Sequence, residues 1–250
     1  MKNKIVRKRL DQTLVDQGLV RSRERAKAMI MAGKVLVNGI RADKPGTQVK
    51  HDARLEVNTP DHPYVSRGGL KLEKALQSFP VSVQDAVCLD IGASTGGFTD
   101  CLLKFGAKKV YAVDVGYGQL DWSLRRDDRV VVIERTNIRH LPYETIGQPM
   151  DAVVADTSFI SLKTVIPAAE KFMRNGTDIL ALIKPQFEAG KEHVGKGGIV
   201  KDPEIRNQVK QDITLFFEER GYKVNGTITS PVLGAKGNEE YVIWIVYQKK

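Results

Sequence analysis

Val87-Cys-Leu-Asp-Ile-Gly-Ala-Ser-Thr-Gly-Gly-Phe-Thr99 is the stretch that decides how this chain folds. Val87 to Ile91 is an apolar run of strand length, and the glycines after it open a tight turn into a helix. Gly92, Gly96 and Gly97 allow sharp bending and let backbone amides come close to a ligand. The helix behind them offers the positive end of its dipole. About twenty residues on, Lys109-Val-Tyr-Ala-Val-Asp114 reads as a second strand ending in a carboxylate. That order is the layout of a nucleotide pocket, with the turn at one end of the ligand and the acid on a ribose hydroxyl. Asp90, Gly92, Ala93, Ser94, Thr95, Gly96, Gly97 and Asp114 are the candidate binding set.

Three ligands or activities compete for this turn. A dinucleotide fingerprint wants glycine where the chain has Ser94, which makes a dehydrogenase a weak fit. Gly92-x-Ser94-x-Gly96 matches the nucleophile elbow of hydrolases. That elbow follows several earlier strands of its sheet, whereas here the strand is the first of its domain. S-adenosylmethionine (SAM) is the third reading and the one the rest of the chain favours.

At 250 residues the chain has room for one large α/β domain and a small appendage. Its 39 Lys and Arg against 30 Asp and Glu give a net charge of +9, which favours a polyanionic partner. The two cysteines, Cys88 and Cys101, form no disulfide framework, and no metal-ligand cluster is visible, which suits a reducing cytosol and predicts no metal. Met1 to Leu10 carries charge without an apolar core, so no secretory signal is expected. Apolar runs such as Ile179 to Ile183 have the length of a buried strand and are too short to span a bilayer.

The first 59 residues read as a separate module. Arg9 to Gly18 predicts a short amphipathic helix with Leu10, Leu14 and Val15 inward. Ser22 caps a second helix, Arg23 to Ala32, whose Ala26, Met29 and Ile30 share a face; Gly33 stops it. Asn38-Gly39 is a strong hairpin signal. Arg7, Lys8, Arg9, Arg21, Arg23, Arg25, Lys27 and Lys34 crowd this unit. Arg9-Leu-Asp11, Ser22-Arg-x-x-Ala26 and Gly33-x-Val35-x-Val37-Asn38-Gly39 together resemble the S4 RNA-binding domain. The resemblance implies an RNA face built from Arg9, Arg21, Arg23, Arg25, Lys27 and Lys34, with Arg67 added from the next domain. The rival readings are a solvated basic face and a DNA-reading helix-turn-helix; a β-hairpin directly after the second helix is foreign to the latter.

Residues 60–65 read as a linker, and 66–250 as the second domain. Ser66 is expected to cap a helix through Phe79, with Gly68 and Gly69 weakening its first turn. Strands follow at Val130 to Glu134, Asp151 to Asp156, Asp178 to Lys184, Lys223 to Ile228 and Glu240 to Tyr247. Helices are expected at Leu162 to Phe172 and Glu204 to Arg220. The alternation predicts an α/β fold, a mostly parallel sheet covered on both faces, with one antiparallel strand at the C-terminal end. Asp114, Asp156 and Lys184 each close a strand on the rim where ligands gather in such sheets.

These residues make the resemblance specific. The second domain resembles the FtsJ-type SAM-dependent ribose 2′-O-methyltransferases, whose Lys-Asp-Lys-Glu tetrad is matched by Ser66-Arg-Gly-Gly-Leu-Lys71, Val154-Ala-Asp156, Leu182-Ile-Lys184-Pro-Gln-Phe and Gly237-Asn-Glu-Glu240-Tyr241. With the S4 module in front, the whole chain is similar to the TlyA family, historically called haemolysin A. The resemblance implies SAM as cofactor, with Asn137 and Ile138 near the adenine, and cytidines of ribosomal RNA, in the small subunit, the large subunit or both, as substrate. It also implies a cytoplasmic enzyme without a membrane partner; a monomer is the expected state. Glu239 competes with Glu240, since strand alternation lets one of the pair face the site.

Chemistry accounts for the residue types. A ribose 2′-hydroxyl must lose its proton as it attacks a methyl carbon, and a lysine amine can take it. Lys184 is the candidate base or orienting residue, Lys71 the neighbouring cation, Asp156 the group that fixes lysine geometry, and Glu240 the partner of Lys71. No Asn/Asp-Pro-Pro-aromatic run of base-amino methyltransferases occurs, nor a Pro-Cys nucleophile of cytosine C5 methylation. The Gly- and Lys-rich stretch Ala189 to Lys201 reads either as a flap over RNA or as a surface loop. The rival functions are a non-catalytic RNA-binding assembly factor and the cytolysin of the family's old name.

Overall fold

The computed structural model describes residues 7–20, 22–50, 52–57 and 62–248. The chain divides into two compact units, Met1–Pro63 and Tyr64–Lys250.

In the first unit, β1 (Arg7–Arg9) runs into α1 (Leu10–Asp16), followed by α2 (Arg23–Met31), β2 (Val35–Val37), β3 (Ile40–Ala42), β4 (Gln48–Lys50) and β5 (Leu55–Val57). Ser22 caps α2 by accepting the Arg25 amide. Asn38 and Gly39, both at positive φ, turn β2 into β3 with Val37 opposite Ile40. β1 pairs with β4, and β2 lies between β3 and β5. Leu10, Leu14, Ala26, Ile30 and Val35 close the small core, so apolar spacing along two helices and one strand accounts for the fold.

The second unit holds α3 (Gly68–Ser78), β6 (Val87–Ile91), α4 (Gly97–Lys104), β7 (Lys109–Val113), α5 (Trp122–Arg125), β8 (Val130–Ile133), β9 (Met150–Ala155), α6 (Leu162–Ala169), β10 (Met173–Ile183), α7 (Pro185–Glu188), α8 (Pro203–Glu219), β11 (Lys223–Thr229) and β12 (Tyr241–Val246). They form one seven-stranded sheet in the order β11-β12-β10-β9-β6-β7-β8. β12 alone runs against the rest, paired antiparallel with both β10 and β11. Alternate residues of each strand enter different cores: Leu89, Ile91, Val153 and Ile183 meet α6 and α8 on one face, while Cys88, Val154 and Leu182 meet α3 and α4 on the other.

Strand order reverses between β6 and β9, and the loops after these two strands touch. A Cβ on Gly92 (φ +85°) would come within 2.8 Å of the Asp156 carbonyl oxygen, so only glycine fits there. This is the crevice at the carboxyl ends of the strands where such sheets take ligands.

The start of α3 differs from expectation. Ser66 makes no side-chain cap; its carbonyl accepts the Gly69 amide at 3.1 Å, and the helix begins after Arg67. Gly68 and Gly69 serve close packing. A Cβ on Gly69 would overlap the ring of buried Tyr64 at 2.2 Å, and one on Gly97 would meet Ser66 Oγ at 2.2 Å and the Gly69 backbone nitrogen at 2.8 Å. Gly97→Ala should therefore force α3 and α4 apart and destabilise the protein by about 1–3 kcal/mol, the usual scale of overpacking. Thermal or urea unfolding of the variant checks it; unchanged stability would mean that the two helices are not held this closely.

Candidate active site

Strand alternation sets the site. Tyr241 faces the α6–α8 side, which leaves Glu240 on the α3–α4 side. There Glu240, 2% exposed, accepts Lys71 Nζ through Oε2 at 2.6 Å and Gln186 Nε2 through Oε1 at 3.2 Å. Glu239 points the other way, accepting the Tyr241 hydroxyl at 2.5 Å with Arg206 at 3.7 Å. One residue past the end of β9, Asp156 brings Oδ1 to 2.5 Å from Lys184 Nζ and Oδ2 to 4.0 Å from Lys71 Nζ. Lys184, just past β10, also donates to Ser158 Oγ at 3.0 Å. Both lysines are buried, and their two positive charges are balanced by two carboxylates, the condition for holding such groups away from water.

Two cavities meet at this cluster. One, of about 500 Å³, is lined by all four charged residues together with Gly92, Ala93, Ser94, Gly97 and Arg67. The other, of about 520 Å³, is lined by Asp114, Asn137, Ile138, Val115 and Thr157. Gly92, Ser94, Asp156, Ser158 and Phe159 form their shared wall. Both volumes lie in the range of small-molecule sites, roughly 300–1,000 Å³.

The turn is held from outside by Asp114, whose Oδ2 accepts the Ser94 amide at 2.7 Å while Oδ1 accepts that of Gly116 at 2.7 Å. Ser94 sits at φ +49°. No histidine lines either cavity among the described residues, so the elbow reading lacks a base for Ser94.

Three residues of the candidate binding set lie outside the cavities. Asp90 is fully enclosed behind the turn, where Thr99 Oγ1 donates to its Oδ2 at 2.6 Å. Gly96 packs toward Leu120 and Leu124, and Thr95 offers its carbonyl to the Asp121 amide. On the basic module, Arg9 and Arg23 both meet Asp11, Lys27 is half-buried and Lys34 exposed. Arg25 lies in the first turn of α2; Arg21 falls outside the described residues. Among the described residues no group of His, Cys, Asp and Glu is placed to hold a metal ion.

Sequence reasoning missed several residues here. Ser158 and Gln186 each lie two positions from a tetrad member, a spacing that carries no signal until the loops are folded. Phe159 is 90% exposed at φ +64°, its ring centroid 4.9 Å from that of Phe187, so the two make an aromatic lip on the first cavity.

Burial pushes the Asp90 carboxyl up to about 7, against the hydrogen bond from Thr99. An acid raised in the folded state binds more protons there than in the unfolded chain, whose value is about 4. Stability from this group therefore falls as pH rises from about 4 to about 7. The melting temperature of the wild type relative to Asp90→Asn should decline across that window and level off above it; a flat difference would refute the shift.

Comparison with known proteins places these features. Residues 64–247 match the model of the FtsJ-like methyltransferases, and residues 8–55 that of the S4 domain. The chain is 52% identical to a putative rRNA methyltransferase, YqxC, of Bacillus subtilis over 95% of its own length and 85% of the relative's. It is 50% identical to the 16S/23S rRNA (cytidine-2′-O)-methyltransferase TlyA of Mycobacterium tuberculosis, over 96% and 90%. A solved putative hemolysin from Streptococcus thermophilus superposes with a TM-score of 0.77 at 44% identity, covering 98% of this chain and 90% of that one.

Proposed function

The chain belongs to the FtsJ-like methyltransferase family, and from that premise we propose that it transfers the methyl group of SAM to a ribose 2′-hydroxyl of ribosomal RNA, a cytidine of the 16S or 23S species. One observation carries the reading: Lys71, Asp156, Lys184 and Glu240 stand together in one ligand-sized cavity, and Asp156 lies on the wall it shares with a second. The relatives' named activity supports cytidine as the substrate.

The residues of the second cavity fit SAM. Asp114 offers a carboxylate to ribose hydroxyls, while Val115, Ile138 and Ile160 give apolar walls to an adenine beside Asn137. Thr157 Oγ1, buried on that wall with no partner among the described residues, can meet a polar atom of the ligand. Bound there, SAM would supply an electrophilic methyl group.

The first cavity is then the nucleotide's, with the Phe159–Phe187 lip offering a face for the base. Lys184, paired as an ammonium with Asp156 at rest, must first give up its own proton to solvent before its amine can receive that of the hydroxyl. Asp156 and Ser158 fix where its nitrogen points. Lys71, held by Glu240, keeps a positive charge beside the oxygen as negative charge builds on it. Positioning of two bound reactants does the rest. The S4 module docks folded RNA by its phosphates. No helix among the described residues is long and apolar enough to cross a membrane. A ribosomal substrate puts the work in the cytoplasm.

Lys184→Ala should keep its fold and its SAM affinity, because little core is lost. Its methyl transfer from labelled SAM to isolated bacterial ribosomal subunits should fall at least about a hundredfold. Lys184→Arg should fail too, since guanidinium keeps its proton at physiological pH; an active arginine variant would reduce the residue's role to charge. Calorimetry should show binding of SAM and none of NAD, with Asp114→Ala weakening SAM by at least about tenfold. NAD binding without SAM binding would overturn the cofactor assignment.

A further inference from the structure

Among the described residues of the basic module, one carboxylate is fully enclosed. Asp11 exposes none of its surface, yet it meets two arginines whose side chains are nearly half exposed, Arg9 at 46% and Arg23 at 44%. Arg9 docks side-on, Nε to Oδ1 at 3.0 Å and Nη2 to Oδ2 at 3.0 Å. Arg23, from the next helix, donates Nη2 to the same Oδ2 at 3.1 Å. The Gln12 amide donates to Oδ1 at 3.0 Å. Arg9 also lies against the chain at Gly46, where an added Cβ would stand 3.3 Å from Nη1. A single buried anion thus holds the Arg9 guanidinium at two points, at the end of β1, and the Arg23 guanidinium at one, at the start of α2.

Charge alone argues against such a residue on a surface that meets a polyanion, because each negative charge there repels phosphate. Geometry argues for it. An arginine that must order itself on contact loses rotamer freedom, and one already held in its bound orientation does not. Two-point docking by a carboxylate holds a guanidinium plane in a way it cannot hold an ammonium. The Arg9 hydrogen bonds, with those of Arg23, keep the Asp11 carboxyl at about 2 although burial opposes them, so the anion persists at every physiological pH.

We propose that Asp11 is a positioning residue for RNA, presenting Arg9 and Arg23 as a rigid pair to the phosphates of folded ribosomal RNA. The inference rests on the RNA-docking reading of the module. It makes removal of a negative charge weaken the binding of a polyanion, the reverse of what charge counting predicts.

The test uses the full chain, isolated bacterial ribosomal subunits and single-stranded polyuridine. Asp11→Asn should bind subunits about tenfold more weakly, bind polyuridine at least as tightly as the wild type, and show its loss as a raised KM for subunits in methyl transfer. Arg9→Lys/Arg23→Lys keeps both charges but not the held planes. It should lose about as much affinity for subunits, and it decides the matter alone if Asp11→Asn fails to fold. If either folded variant binds subunits as tightly as the wild type while Arg9→Ala/Arg23→Ala does not, the inference is overturned and RNA docking stands. If the alanine pair also binds like the wild type, the RNA-docking reading falls with it.

Discussion

Gly92 and the Asp156 carbonyl lie so close that a single added carbon would stand 2.8 Å from that oxygen. This near-contact joins the loops after the two strands between which sheet order reverses. It brings the Gly-rich turn, which shapes one cavity, against the aspartate that organises the other. Asp156 then draws Lys184 and Lys71 to its two oxygens, and Glu240 and Gln186 complete the ring around Lys71. The arrangement works as a chain of constraints, in which each charged group is fixed by the one before.

The electrostatics follow the same logic. Two ammonium groups and two carboxylates, all largely removed from water, tolerate burial because each finds an opposite partner. Asp90 is the exception nearby. It shares their face of the sheet, meets one hydroxyl, and has an oxygen without a partner among the described residues. Its raised titration is the expected response of a carboxyl that burial isolates.

Much of this was legible in the residues. The strand-turn-helix at Val87–Thr99, the S4-like helices with their Asn38-Gly39 hairpin, and the parallel sheet with one reversed strand all follow from local periodicity and turn chemistry. What was illegible depends on distant approach. Gly68 and Gly69 read as weak helix formers, yet Tyr64 and Gly97 need their bare backbones. Glu239 and Glu240 are equivalent in sequence until the direction each faces is known, and a carboxylate on Lys71, 169 positions away, separates them. Asp90 reads as part of the ligand set because it precedes the turn, whereas alternation buries it beneath. Ser158 and Gln186 stand inside the matched stretches around Asp156 and Lys184, but only the folded loops show which groups they meet.

The reversed strand has a consequence for how the molecule is built. Asp156 and Lys184 follow their strands, but Glu240 precedes its own, because a strand running backwards brings its first residue to the rim. β12 also sits between β10 and β11, and among the described residues β11 pairs with no other strand. Until that last strand is in place, β11 cannot join the sheet, and Lys71 and Gln186 wait without their shared acceptor. The charged ring around Lys71 and the edge of the sheet therefore depend on the same strand.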